Sequence, residues 1–303
     1  MAQTTFRDVT TPDGRTLRVH DAGAASGRVL VAHHGTPSAG NRYRTEIESA
    51  GAKGLRLIAY DRPGYGGSTP SPGRSVADAA GDVAAILDAL GVERFATYGW
   101  SGGGPHALAC AALLPDRCAA VATLSGVAAF DAPDLDFLAG MGEGNIEEFG
   151  VAQEGKEPLT ELCRAQAEAM IAATPEELAG ALRPHLSDVD AAALTGDVAE
   201  FLHGTIVDAR SERVDGWVDD DLAFLAPWGF DLGDVRTPAL VWQGDQDLMV
   251  PHGHSDWLRA HIAGAEGGVI AGEGHITLYA GRIGDVHAWL QERVGAVSSG
   301  TAA

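Results

Sequence analysis

A chain of 303 residues can bury one large core, or a core with a lid over it, and 45% hydrophobic residues make it globular in class. No apolar run approaches the roughly 20 residues needed to span a bilayer, and a net charge of −21 argues against nucleic acid or anionic membrane as a partner. Three cysteines, Cys110, Cys118 and Cys163, have no Cys-x-x-Cys spacing and read as reduced, buried thiols.

The start, Met1 to Asp8, lacks the basic and apolar regions of a secretion signal, so a cytoplasmic address is expected. The first strand signal is Arg28–His33, and it runs into a sharp turn, His34-Gly35-Thr36-Pro37. His34 reads as a structural turn histidine. A second strand is expected over Leu55–Tyr60, then the glycine-rich Asp61-Arg62-Pro63-Gly64-Tyr65-Gly66-Gly67-Ser68, then a helix over Ser75–Leu90 whose Ser75-x-x-Asp78 start is an acidic variant of a capping box. Arg94–Tyr98 has the β-branched and aromatic content of a strand, and Pro105–Leu114 the Ala/Leu content of a buried helix. Between them lies Gly99-Trp100-Ser101-Gly102-Gly103. A serine on so sharp a strand-to-helix turn needs small neighbours two residues away, and Gly99 and Gly103 supply them.

Another strand, Ala120–Leu124, completes an alternation that indicates a mostly parallel sheet covered on both faces. From about Asp131 strand signals vanish. Helix starts are expected at the capping box Thr174-Pro175-Glu176-Glu177 and at Ser187-Asp188-Val189-Asp190. Between Asp131 and Asp215 the chain carries 19 Asp and Glu against 5 Lys and Arg, so this helical stretch is an acidic one. Strand character resumes near Val235, with Ala239–Gln243 as the buried segment, followed by Gly244-Asp245-Gln246-Asp247-Leu248-Met249-Val250-Pro251. His252 and His254 have no third ligand at metal spacing and read as helix-start residues; no metal and no cofactor is expected. Gly268–Ala271 is the last strand, Gly272-Glu273-Gly274-His275 a loop, and a helix is expected from about Arg282. Residues 295–303 read as a disordered tail.

Serine at its free pKa is a poor nucleophile and needs an imidazole to take its proton and an acid to orient that imidazole. His275, on a glycine-flanked loop at a strand end, is the candidate base. Asp247 is the candidate acid, with Asp245 as its near rival. Two backbone donors for an oxyanion are expected from Gly102, which follows the serine, and from Thr36.

In this order the segments resemble the α/β-hydrolase superfamily, specifically its capped serine hydrolases. The matching pieces are His34-Gly35-Thr36-Pro37, Asp61 to Ser68, Gly99 to Gly103, Gly244-x-x-Asp247-x-x-Val250-Pro251 and Gly274-His275. The resemblance implies an α/β-hydrolase fold, with a mostly parallel eight-stranded sheet, helices on both faces and a helical cap inserted after the sixth strand. It implies a core over residues 1–130 and 216–294 and a cap over 131–215. Its implied chemistry is hydrolysis of a small-molecule carboxylic ester or lactone, with Ser101, Asp247 and His275 as the triad. Epoxide hydrolases and haloalkane dehalogenases use an aspartate where Ser101 stands, and the five tyrosines here lie outside the cap segment. A proline iminopeptidase-like aminopeptidase, with Glu143, Glu147 and Glu148 as amine-holding carboxylates, remains an alternative; so do a carbon–carbon bond hydrolase and a non-catalytic ligand-binding protein on the same scaffold. The acidic cap is expected to favour neutral or cationic small molecules.

Overall fold

In the computed structural model, which describes residues 4–210 and 213–294, eight strands form a single sheet. They are β1 (Thr5–Thr10), β2 (Thr16–Gly23), β3 (Arg28–His33), β4 (Leu55–Tyr60), β5 (Phe95–Trp100), β6 (Cys118–Leu124), β7 (Ala239–Gly244) and β8 (Glu266–Ile270). Their order in the sheet is β1-β2-β4-β3-β5-β6-β7-β8; β1 and β2 pair antiparallel, β2 pairs antiparallel with β4, and every later pairing is parallel. Parallel pairs need crossovers, and helices fill them: α1 (Arg44–Ala52), α2 (Asp78–Ala89) and α3 (Gly103–Leu113) in the first half.

Alternate side chains of each inner strand feed two separate cores. In β3, Val29 and Val31 join Val83, Ile86 and Leu108 from α2 and α3 on one face, while Leu30 and Ala32 face the other. Both faces are covered, so β3 reads as a continuous apolar run.

Between β6 and β7 the chain is helical: α4 (Glu143–Glu154), α5 (Lys156–Ala172), α6 (Pro175–Leu182), α7 (Asp188–Ala193), α8 (Gly196–Arg210) and α9 (Asp215–Leu225). The expected capping box is present on α6, where Thr174 accepts from the Glu177 N–H and the Glu177 side chain accepts from the Thr174 N–H. The helical stretch continues past residue 215 through α9, and the sheet resumes only at Ala239. Leu159, Cys163, Ala167, Trp217 and Val218 of this insertion pack with Ala39 and Tyr65 of the sheet's loops, which seats the insertion on the sheet's carboxyl edge.

The chain closes with α10 (Gly253–His261) and α11 (His275–Val294). α10 starts where His252 and His254 are expected to open a helix. α11 does not: it begins at His275 rather than near Arg282, for a reason found in the insertion and described below. Leu278, Ile283, Val286 and Leu290 of α11 complete the second core. All three cysteines are free and buried. The tail over 295–303 lies outside the described residues. No described helix is long and apolar enough to cross a membrane.

Candidate active site

Ser101 stands between β5 and α3 with φ +56°, in the left-handed region that side-chain-bearing residues rarely enter. Its N–H is held by the Leu124 carbonyl at 2.9 Å, and its own carbonyl accepts from the Gly104 N–H at 2.9 Å, so the turn is fixed by backbone on both sides. A side chain on Gly99 would strike the Gly103 carbonyl, and one on Gly103 would strike the His33 carbonyl. The small residues expected on either side of the serine are therefore a steric requirement of this turn.

His275 lies beside this turn. Its ring is tilted against Trp100 at 5.3 Å between centroids, and Trp100 donates its indole N–H to the His275 carbonyl at 3.2 Å. The Nδ1 of His275 is 2.8 Å from Asp247 Oδ2. Asp247 is itself buried and anchored, accepting from the Met249 and Val250 N–H groups at 2.9 and 2.8 Å and from the Gln243 side-chain amide at 2.8 Å. Asp245, the rival, turns elsewhere and accepts from the Gly272 N–H at 2.8 Å. Burial alone would depress the His275 pKa, but the Asp247 charge and hydrogen bond outweigh it and hold the imidazole above its ordinary value, with Asp190 adding to the effect.

Asp190 carries no signal in the sequence beyond a helix start. It is fully buried on α7, and its carboxylate accepts from three successive N–H groups: His275 at 2.7 Å, Ile276 at 2.8 Å and Thr277 at 3.0 Å. These are the donors that a helix N-terminus leaves orphaned. A carboxylate delivered from 85 residues away thus caps α11, which explains why the helix can begin at His275 without a local capping residue. Sequence periodicity could not see it.

Thr36 and Gly102 meet across the turn. Thr36 packs so closely on Gly102 that no side chain could be built there, and Gly35 lies against the Ser101 side chain. His34 is enclosed: its Nδ1 donates to the Gly35 carbonyl at 2.7 Å and its Nε2 accepts from the Arg62 N–H at 3.1 Å, as a structural turn residue would.

The acids of α9 were also not singled out by sequence, although Asp219-Asp220-Asp221 between Trp217-Val218 and Leu222-Ala223-Phe224 offers a signal: charges embedded in an apolar stretch. All three are buried. Asp220 pairs with Arg62 and Arg74 at 2.6 Å each; burial would raise its pKa, but the two guanidinium groups hold it well below the carboxylate range. Asp221 has the opposite fate. Burial and the neighbouring Glu148 carboxylate, with which it shares a hydrogen bond, push its pKa well up, and burial raises Glu148 also. Glu148 further accepts from the Trp217 indole N–H at 2.8 Å.

A cavity of about 360 Å³ opens over Thr36 and Pro37, between α4, α5, α6 and the Leu248-Met249 segment. Its wall is mostly apolar, with Met170, Leu178, Leu182 and Trp217 among the lining, and it contains no Lys or Arg among the described residues. His252 and His254 do not converge on a metal: His252 is exposed and pairs with Asp256, while His254 is buried between the Ala128 N–H and the Phe137 carbonyl.

A family model described as "alpha/beta hydrolase fold" matches residues 28–155. The chain is 36% identical over 121 residues to a non-heme chloroperoxidase from Streptomyces lividans, covering 39% of this chain and 44% of that protein. It is 28% identical over 258 residues to a 2-hydroxy-6-oxononadienedioate/2-hydroxy-6-oxononatrienedioate hydrolase from Cupriavidus pinatubonensis, covering 82% and 81%. Among solved structures, an alpha/beta hydrolase fold protein from Nakamurella multipartita superposes with a TM-score of 0.68 at 27% identity, over 96% of this chain and all of that one. In several of its curated matches the chain spans less than half of the relative's length. The strand order, the serine turn after β5 and these likenesses together establish that the chain has the α/β-hydrolase fold, and they support its place in the α/β-hydrolase superfamily.

Proposed function

We propose that this protein is a serine hydrolase that cleaves a small-molecule carboxylic ester or lactone through an acyl-enzyme on Ser101. The observation that carries the reading is the His275–Asp247 pair, 2.8 Å apart, set beside the strained Ser101 turn. With Nδ1 committed to Asp247, Nε2 is the nitrogen left to take the Ser101 proton. The serine oxygen attacks the carbonyl, the Thr36 and Gly102 N–H groups receive the oxyanion, and His275 returns the proton to the leaving alkoxide. Water, deprotonated by His275, then releases the acid.

Helices α4 to α9 act as the cap, and the cavity beneath them holds the acyl or alcohol portion. Its apolar wall, the absence of Lys and Arg from its described lining and the excess of acids in the insertion favour neutral or cationic substrates over polyanions. For the aminopeptidase alternative, Glu148 is already occupied by Trp217 and Asp221 and Glu143 lies outside the cavity lining, which leaves Glu147 as the carboxylate of the cavity wall that could hold an amine. Carbon–carbon bond hydrolysis is the second reading, favoured by the similarity to the Cupriavidus hydrolase over most of both chains. A dicarboxylate substrate would, however, meet neither Lys nor Arg in the described lining.

The test is fluorophosphonate labelling together with turnover of matched neutral, cationic and dianionic substrates. Labelling at Ser101, ester turnover lost by about 10⁴ or more in Ser101→Ala, and a cationic advantage that shrinks with salt are expected. No label and no turnover would instead favour the ligand-binding protein.

A further inference from the structure

The motif Asp61-Arg62-Pro63-Gly64 has no role in the chemistry above, yet Arg62 is among the largest fully buried side chains of the molecule. It grips the turn that holds Thr36. Its guanidinium donates to the His34 carbonyl, to the Gly35 carbonyl at 3.0 Å and to the Thr36 hydroxyl at 3.1 Å.

The Gly35 contact has a directional consequence. In a trans peptide the carbonyl and the following N–H point to opposite sides of one rigid plane, and among the described residues the cis bond is Thr36-Pro37, not Gly35-Thr36. Fixing the Gly35 oxygen on Arg62 therefore aims the Thr36 N–H away from Arg62. That N–H is the donor assigned above to the oxyanion.

Arg62 is in turn oriented from the insertion. Asp220 on α9 receives Arg62 through both nitrogens of its fork, at 2.6 and 3.3 Å, and receives Arg74 at 2.6 Å, the Tyr65 hydroxyl at 2.8 Å and the Thr36 hydroxyl at 2.7 Å. On the opposite side, His106 stands 3.6 Å from Asp220 and donates from Nδ1 to the Gly102 carbonyl at 2.8 Å. One carboxylate thus contacts groups that fix both backbone segments facing the reacting carbonyl.

We propose that Asp220, acting through Arg62 and the Thr36 hydroxyl, is a positioning residue that sets the aim of the Thr36 N–H. The helical insertion is by this device part of the oxyanion site as well as its cover. The proposal rests on the serine-hydrolase reading.

A donor must sit within a few tenths of an ångström of its transition-state position to be effective, and its loss costs about 10²–10³ in rate. Misdirecting rather than deleting it is expected to cost about tenfold or more in kcat, with KM nearly unchanged. Asp220→Asn is the direct variant, but it leaves two buried guanidinium groups short of a counter-charge and can fail to fold. Thr36→Val is the second. It removes the hydroxyl that Asp220 and Arg62 share while keeping the backbone N–H and the ion pairs, and Thr36→Ser restores the hydroxyl. Kinetics on a neutral ester are to be paired with the affinity of a boronic acid, which forms a tetrahedral adduct on the serine. The expected result is that Thr36→Val lowers kcat and boronate affinity in parallel, and that Thr36→Ser recovers both. Thr36→Val with kcat and boronate affinity within twofold of the parent overturns the proposal. The control is Ser101→Ala. If that variant retains turnover, the serine-hydrolase reading itself has failed; if it is inert while Thr36→Val behaves as the parent, only the positioning role has.

Discussion

Asp221→Asn should make this protein more stable at neutral and alkaline pH. Two carboxyl groups in hydrogen-bond contact, one fully buried and the other at the cavity wall, resist ionising together, so Asp221 and Glu148 retain a proton between them to a higher pH than free carboxylates do. In the unfolded chain both titrate near pH 4. A pKa raised by folding is a stability contribution present at low pH and lost as pH rises through the raised value. The loss proceeds at about 1.4 kcal/mol per pH unit for one retained proton. Asparagine supplies the hydrogen-bond donor permanently, with no proton to retain. Glu148 then ionises while keeping the Trp217 indole as a partner. Urea unfolding of parent and variant at pH 5, 6.5 and 8 measures the effect. The buried neutral histidines, which favour the fold at higher pH, cancel in the difference. The two proteins should be closest in stability at pH 5, and the variant should gain on the parent as pH rises, at up to about 1.4 kcal/mol per pH unit, until the pH passes the raised value. Parallel pH dependences would refute the shared proton. Asp220→Asn, one residue away, should go the other way, since it breaks a buried pair whose removal costs about 3–5 kcal/mol.

Two further outcomes are expected. Ester hydrolysis should rise with pH through a midpoint above the ordinary histidine value of about 6.5, because His275 must be neutral to act and Asp247 holds it protonated longer; Asp247→Asn should lower that midpoint and cost up to about 10⁴ in kcat, whereas a comparable loss in Asp245→Asn would reverse the assignment of the acid. Asp190→Ala strips the acceptor from three N–H groups at the start of α11, two of them buried, and should destabilise the fold by at least the ~0.5–2 kcal/mol of a lost cap while lowering kcat through displacement of His275; unchanged urea midpoint and kcat would show that α11 caps itself.

Local pattern was enough for much of the architecture. β3 and β4 fall on Arg28–His33 and Leu55–Tyr60 as expected, because a strand covered on both faces writes itself as an unbroken apolar run. The capping box at Thr174 was equally legible, since both partners lie within one turn. So was the Ser101 turn, whose glycines meet a steric demand of the neighbouring backbone. What required the tertiary structure involves partners far apart in sequence. Asp245 and Asp247 are chemically alike and two residues apart, and only the direction of each carboxylate separates them: one meets Gly272, the other His275. The start of α11 was misplaced because its cap comes from α7. Asp220 and Arg62 lie 158 residues apart, and nothing in the periodicity around either one encodes the pairing. Spacing along a chain reports the faces of single elements, whereas ion pairs and heterologous caps form only once separate elements are packed together. In this protein the sequence determined where the candidate nucleophile stands, and the packing of the helical insertion decided what holds the groups around it.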